Sequence, residues 1–449
     1  MLPLPFTLSS DKAKSSRQSS ERLVNLYPEP KKNAKYPYVL YGTPGLVLDK
    51  TLGDGPIRGS FTRNNYQYIV SGSEVYRNGI LLTGDAVTGT GPVSIDGNNN
   101  QVVIVANGAG YVVTSTVAQI TDADWRKADT VAYVKGVFVF NERASGRAFS
   151  SAINDASDLD ALDFATAETS PDNLRGVYRE GDKLVMAGRN TLEFWYNDGG
   201  TQFPFSPILG STADVGLHSP YGLTSIDNTF FFLGNDLAIY RMGQVPIRIS
   251  TPYIERLILE AGDSYNAVAA SYSRDGHIFV LFDIGTYTFV FDVSTNLWHE
   301  RKSYGQSAWR CSQLWQDGAI VYAGDRDNGN VYILDENTYD ENGDILEIIL
   351  QTPQISNNQE RFTVKKILLD VEAGAGLVSG QGSDPQVMMQ FSDDGGNTWS
   401  NELWQSIGKA GEYKNKSVWH RGGRTNERIF RFSMTDPVKR AVLGLWMDA

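Results

Sequence analysis

Cysteine is nearly missing from this chain. Cys311 is the only one, so no disulfide framework can staple the fold, and folding in a reducing cytoplasm is expected. Histidine is scarce as well: His218, His277, His299 and His420 have no metal-sharing spacing and no cysteine pair to join them. Long apolar runs are lacking. Runs such as HIFVLF at 277–282 have strand length, whereas a spanning helix needs about 20 residues. The opening MLPLPFTLSSDKAKSS has two early prolines and no basic n-region, so neither a secretory signal nor membrane insertion is expected, and the protein reads as soluble. Positive charge is in deficit, with 40 Lys and Arg against 52 Asp and Glu for a formal −12. That balance argues against nucleic acid as a tightly held ligand, because phosphate binding needs clustered cations; it allows DNA to pass by.

What is abundant is glycine, 44 residues, with 22 tyrosines and 20 phenylalanines, a mixture suited to many strands joined by tight turns. A unit recurs along the chain: an apolar, β-branched or aromatic run, a Gly/Asn/Asp turn, and a second such run. The first runs are YQYIVSG, QVVIVAN, GVFVFNE, KLVMAG, TFFFLGN, HIFVLFD and AIVYAGD, starting at 66, 101, 136, 183, 229, 277 and 319. Hairpins repeated at such intervals are what four-stranded propeller blades require, since a blade buries both faces only against its neighbours. The reading is all-β, a β-propeller of seven blades, or six if one unit is a spacer; a series of β-sandwiches is the alternative. One helix is expected in TPYIERLILEAG at 251–262, with Pro252 in its first turn, an apolar stripe of Ile254, Leu257, Ile258 and Ala261, and Gly262 ending it. Residues 1–50, rich in Pro, Ser and Lys, read as an extended arm; 51–336 as the propeller; 337–449 as a C-terminal β-sandwich-like domain.

Chemistry is hard to find. There is no nucleophile elbow or P-loop, and GAGLVSG at 374–380 has the wrong spacing for a dinucleotide fingerprint. The acidic stretch 154–168, with Asp155, Asp158, Asp160 and Asp163, and the pair Asp325 and Asp327 fit no calcium loop and read as solvated loop carboxylates. One motif is complete: Ser392, Asp394, Gly396, Thr398 and Trp399 form an Asp box in SDDGGNTW, a structural hairpin device in sialidases and other propellers. It suggests a glycan-binding or glycan-cleaving propeller as a rival reading. A sialidase also needs an arginine cluster and a Tyr/Glu pair, which the sequence gives no way to assign. No catalytic, metal or cofactor residue is expected.

Several segments together resemble the packaged-DNA stabilisation proteins, or tail hub (nozzle) proteins, of short-tailed bacteriophages. They are RQSSERLVNLYPEP with YGTPGLVL, the run from FSSAINDASDLDALDFATAETSPDNL to NTLEFWYNDGG, GLHSPYGLTSIDNTFFFLGNDLAIYRMGQVPIRISTPYIERLI, and VFDVSTNLWHERKS. The resemblance covers most of 20–335 and is looser beyond. It implies a non-enzymatic homo-oligomeric ring, usually a hexamer, assembled in the host bacterial cytoplasm and placed in the virion tail below the portal and its adaptor. There it would close the DNA channel, retain the genome until ejection, and support tail fibres, spikes or a needle. It carries over no catalytic or cofactor residue. A cytoplasmic scaffold propeller binding host proteins is the remaining rival.

Overall fold

The recurring apolar runs pair as antiparallel hairpins. Four of the tightest turns run through Asn64-Asn65, Lys135-Gly136, Asp227-Asn228 and Asp275-Gly276, and all eight residues have positive φ. Positive φ at both central residues is the type I′ geometry, whose twist suits paired strands and which Asn, Asp and Gly adopt at least cost. The computed structural model describes residues 1–449 except 5–6, 16, 33, 168–171, 263 and 359. Five four-stranded antiparallel sheets follow one another at 57–81, 94–119, 131–166, 174–207 and 223–248. A sixth such unit, at 268–301, continues into a larger sheet, and a seventh joins 311–335 to Gly45–Thr51. These are the seven blades of a β-propeller, blade 1 to blade 7 in chain order.

The central strands explain the run-like sequence. In Val102–Ala106, Val102, Ile104 and Ala106 pack toward blade 1, while Val103 and Val105 pack toward blade 3. In Thr229–Leu233, Phe230 and Phe232 face blade 4, and Phe231 and Leu233 face blade 6. A strand covered on both sides has no polar face to alternate with. Further shared cores join blades 3 and 4 around Leu184 and Trp195, and blades 6 and 7 around Leu281, Trp309 and Tyr332. Blade 7 meets blade 1 around Ile57, Ile69 and Trp315, which closes the ring.

The helix spans Pro252–Ala261, and Gly262 at φ 77° ends it. Its Tyr253, Ile254, Leu257 and Ile258 join the core between blades 5 and 6. The C-terminal unit is a sandwich of two sheets. One is ordered Leu26–Pro30, Tyr38–Gly42, Ala441–Asp448, Phe362–Val371, Ser417–Thr425; the other contains Ser20–Val24, Ile348–Gln351, Glu427–Met434, Gln386–Ser392 and Leu403–Ser406. The second sheet runs into blade 6, where Val24 pairs with Glu300 in parallel and Arg22 forks onto the Glu300 carboxylate at 2.6–3.0 Å.

Residues 1–50 are therefore not a separate extended arm. Their strands complete the sandwich, and Gly45–Thr51 is the outer strand of blade 7. Leu23, Leu26 and Leu40 are fully buried in the sandwich core, each contributing about 1.5–3 kcal/mol of burial. The unit at 337–449 is thus incomplete without the N-terminal segment. The acidic stretch is also different from the expected loop: Asp155–Thr166 is a 12-residue strand at the outer edge of blade 3. Glu168 lies outside the described residues.

Candidate functional site

The first strand of each blade lines the propeller axis. Around a cavity of about 420 Å³ stand Ser60 of blade 1, Asp96 of blade 2, Ala132 of blade 3, Arg179 of blade 4, Thr224 of blade 5 and Gln313 of blade 7. These short strands mix polar and apolar residues because they face water on one side. Side chains on or just before these strands also satisfy the next blade: Ser94 Oγ accepts from the Val131 N–H (3.1 Å), Asp96 from Tyr133 N–H (2.7 Å) and Thr130 Oγ1 from Val177 N–H (2.8 Å). Desolvation raises the Asp96 pKa against the N–H bonds from Tyr133 and Gly97 and the Arg179 and Arg63 charges. The cavity suits a small molecule or water. At about 420 Å³ it is not a space that holds a duplex.

The residues singled out from sequence are scattered. His277 Nδ1 lies 2.7 Å from Asp292, and that hydrogen bond raises the His277 pKa. His299, fully buried beside Tyr27 and Phe279, is pushed down to about 3 by desolvation. His218 Nε2 meets Ser264 Oγ at 3.0 Å, and His420 is exposed on a sandwich strand. Asp325 is buried, bonded to Arg310 (3.2 Å) and Tyr332 (3.1 Å), so it is not the solvated loop carboxylate expected. GAGLVSG at 374–380 is a loop. Among the described residues no group of three or more His, Cys, Asp or Glu could hold a metal, and no helix is long and apolar enough to cross a membrane.

The Asp box sits in the sandwich, on the turn between Gln386–Ser392 and Leu403–Ser406. Asp394 Oδ1 accepts from Ser392 Oγ (2.7 Å) and Thr398 N–H (2.9 Å), its Oδ2 accepts from Thr398 Oγ1 (2.6 Å), and Gly396 N–H donates to Ser392 Oγ (2.8 Å). These bonds, from Thr398 above all, hold the Asp394 pKa down to about 2. Both oxygens are engaged within the turn, as a hairpin clasp requires. Trp399 is only half-buried, its ring covered by the Arg431 guanidinium at 3.7 Å.

Sequence reasoning missed the first strands along the axis and the closing strand Gly45–Thr51. The polar residues spaced in SIDG at 94–97 and LTSI at 223–226 are their faint signal.

Among curated proteins none matches this sequence. Solved structures with a similar course include the extracellular domain of a putative one component system, BT4673, from B. thetaiotaomicron. It is 10% identical, with a TM-score of 0.44 over 80% of this chain and 48% of that one. YCF48 from Cyanidioschyzon merolae is 9% identical, with a TM-score of 0.42 over 65% of this chain and 98% of its own. BamB from Moraxella catarrhalis is 14% identical, at 0.33 over 65% and 97%. The chain spans about half the length of the first of these, and such distant likenesses say nothing of function. Two family models match the sequence: "Bacteriophage P22 Gp10, beta-propeller" over residues 4–339 and "Bacteriophage P22 Gp10, beta-sandwich" over 347–449. Matched across both of its units, the chain belongs to the bacteriophage P22 Gp10 family of structural phage tail proteins.

Proposed function

We propose that this protein is a non-enzymatic ring subunit of the virion tail. It sits below the portal and adaptor, closes the DNA channel, retains the packaged genome and supports fibres, spikes or a needle. The family match over both units carries this reading. The geometry supports it in three ways. The pocket at the propeller axis does not hold a duplex, which favours a DNA conduit between subunits over one through a subunit. The excess of 52 acidic over 40 basic side chains disfavours adhesion of phosphates, which suits a wall past which DNA slides. The sheet shared by blade 6 and the sandwich couples the two units, as a plug that must resist force needs.

The test is particle assembly without the protein. Capsids should fill with DNA and then lose it, because the tail end stays open; full genome retention would refute the proposal.

A further inference from the structure

One cavity runs against the charge of the whole protein. Between the helix Pro252–Ala261 and the Asp-box end of the sandwich lies a cleft of about 570 Å³. Lys12, Lys14, Arg22, Arg256 and Arg431 line it, with Glu260 as the one carboxylate among the described lining residues. Arg22 is neutralised by Glu300, and Arg256 lies 3.9 Å from Glu260. Arg431 has no ion pair among the described residues: it stacks on Trp399 and donates only to the neutral Gln351 Oε1, at 3.1–3.2 Å. Among the described residues its one opposing carboxylate is Glu347, at longer range than an ion pair, while desolvation and the like charge of Arg22 both act against its charged form. A largely desolvated guanidinium so weakly compensated is costly, and a cleft that gathers more cations around it suits an anion.

The chain carries a matching surface elsewhere. The other outer strands of the blades have two to seven residues, whereas Asp155–Thr166 of blade 3 has twelve. Among the described residues it pairs on one side only, and Asp158, Asp160 and Leu162 are exposed along it. Charges on an edge strand ordinarily deter aggregation, but that role does not call for a strand so long or for Leu162 at 60% exposure. Blade 3 stands across the seven-bladed ring from blade 6, where the cleft lies. Complementary patches on two flanks make a head-to-tail contact, which closes into a ring when the rotation from copy to copy closes and otherwise runs on as a filament.

We propose that the acidic outer strand of blade 3 in one copy docks in the cationic cleft of the next, and that this contact repeats around the ring. The proposal rests on the ring reading above. It is tested on the full chain by sedimentation velocity over a concentration series at low and high salt. A cleft variant carries Lys12→Glu and Lys14→Glu, a strand variant carries Asp158→Lys and Asp160→Lys, and thermal unfolding checks that each still folds. Wild type should self-associate, weakening on the order of tenfold or more with added salt. Each variant alone should stay monomeric, an equal mixture should associate through alternating native and charge-reversed contacts, and the variant with all four changes should associate again. Association of both variants as in wild type would overturn this contact and leave the ring reading standing. A wild type monomeric under every condition would overturn this contact and leave the ring reading to the particle assembly test. Duplex DNA binding that the cleft variant loses would assign the cleft to nucleic acid and overturn the contact as well.

Discussion

Arg301 lays its guanidinium 3.8 Å over the ring of Trp309 and donates a 2.9 Å hydrogen bond to the Pro44 carbonyl. Arg301 ends the outer strand of blade 6, Trp309 precedes the first strand of blade 7, and Pro44 precedes the strand that closes the propeller. Trp309 passes the link on, its indole N–H donating to the buried Glu341 at 2.8 Å. Segments remote in sequence, around residues 44, 301–309 and 341, thus meet at the seam where the ring is shut.

Arg301→Ala should destabilise the protein by about 2–5 kcal/mol, the usual range for emptying a large buried site, and the attraction between cation and ring disappears with it. Arg301→Met keeps the stem against Trp309 and should be milder. Chemical denaturation compares the two, and limited proteolysis should show residues 30–45 cut faster in the Ala variant. An Ala variant as stable as wild type would remove the seam's importance.

Deleting residues 1–51 should abolish cooperative unfolding altogether. The deletion bares the edge of Asn330–Asp335, where Leu48 pairs with Tyr332, and strips Leu23, Leu26 and Leu40 from the sandwich. A soluble truncated chain with a single sharp thermal transition would contradict this.

That N-terminal segment is also where the sequence was least legible. Leu26–Pro30 contains Pro28 and Pro30, which read as strand breakers; the strand tolerates them because it pairs on one side only, at the sheet edge. The pairing of Gly45–Thr51 with blade 7 is a long-range contact that no local pattern encodes. The doubly covered second strands of the blades, such as Val102–Ala106 and Thr229–Leu233, stand out as apolar runs, and counting them yields seven blades. The first strands, half exposed to the axis, carry no such run. The Asp box was readable because its bonds are local, within Ser392 to Thr398. The cleft at Arg431 was not, because it gathers residues from both ends of the chain.

Two histidines should shape acid stability in opposite ways. His299 is held neutral, with a folded pKa of about 3 against an ordinary 6.5. Below pH 6.5 the unfolded chain takes up a proton that the folded one refuses, so stability falls by about 1.4 kcal/mol per pH unit toward pH 3. His299→Leu should flatten that slope. His277, raised by Asp292, stabilises fully below pH 6.5 and loses its contribution as pH rises through its folded value. His277→Asn should therefore cost most on the acid side. Melting temperature against pH for both variants checks the signs.

Asp394 should report on the hairpin clasp. Its folded pKa of about 2 lies below the ordinary 3.8, so its contribution is complete above pH 3.8 and fades as pH falls toward 2. Asp394→Asn should melt below wild type at pH 6, with the gap closing in acid. Any binding function should decline only with folding. A normally folded variant that had lost a glycosidase activity would instead revive the glycan reading.

The last prediction concerns DNA. A protein of formal charge −12 has few cations to release counterions from a duplex, and each neutralised phosphate requires one. Of its cation-rich surfaces, the cleft beside the helix is partly neutralised already, by Glu300 and Glu260. The axial cavity presents Asp96 as well as Arg179 and admits no duplex. Free protein should therefore bind duplex DNA weakly or not at all at physiological salt, even if particles depend on it to keep their genome. A fluorescence titration across salt measures this directly. A steep slope of log affinity against log salt would require several phosphate contacts and would sink the picture of a wall that DNA slides past. A flat, weak response alongside leaking particles is what a plug requires, since closing an aperture needs contacts between subunits and none to the strand it retains.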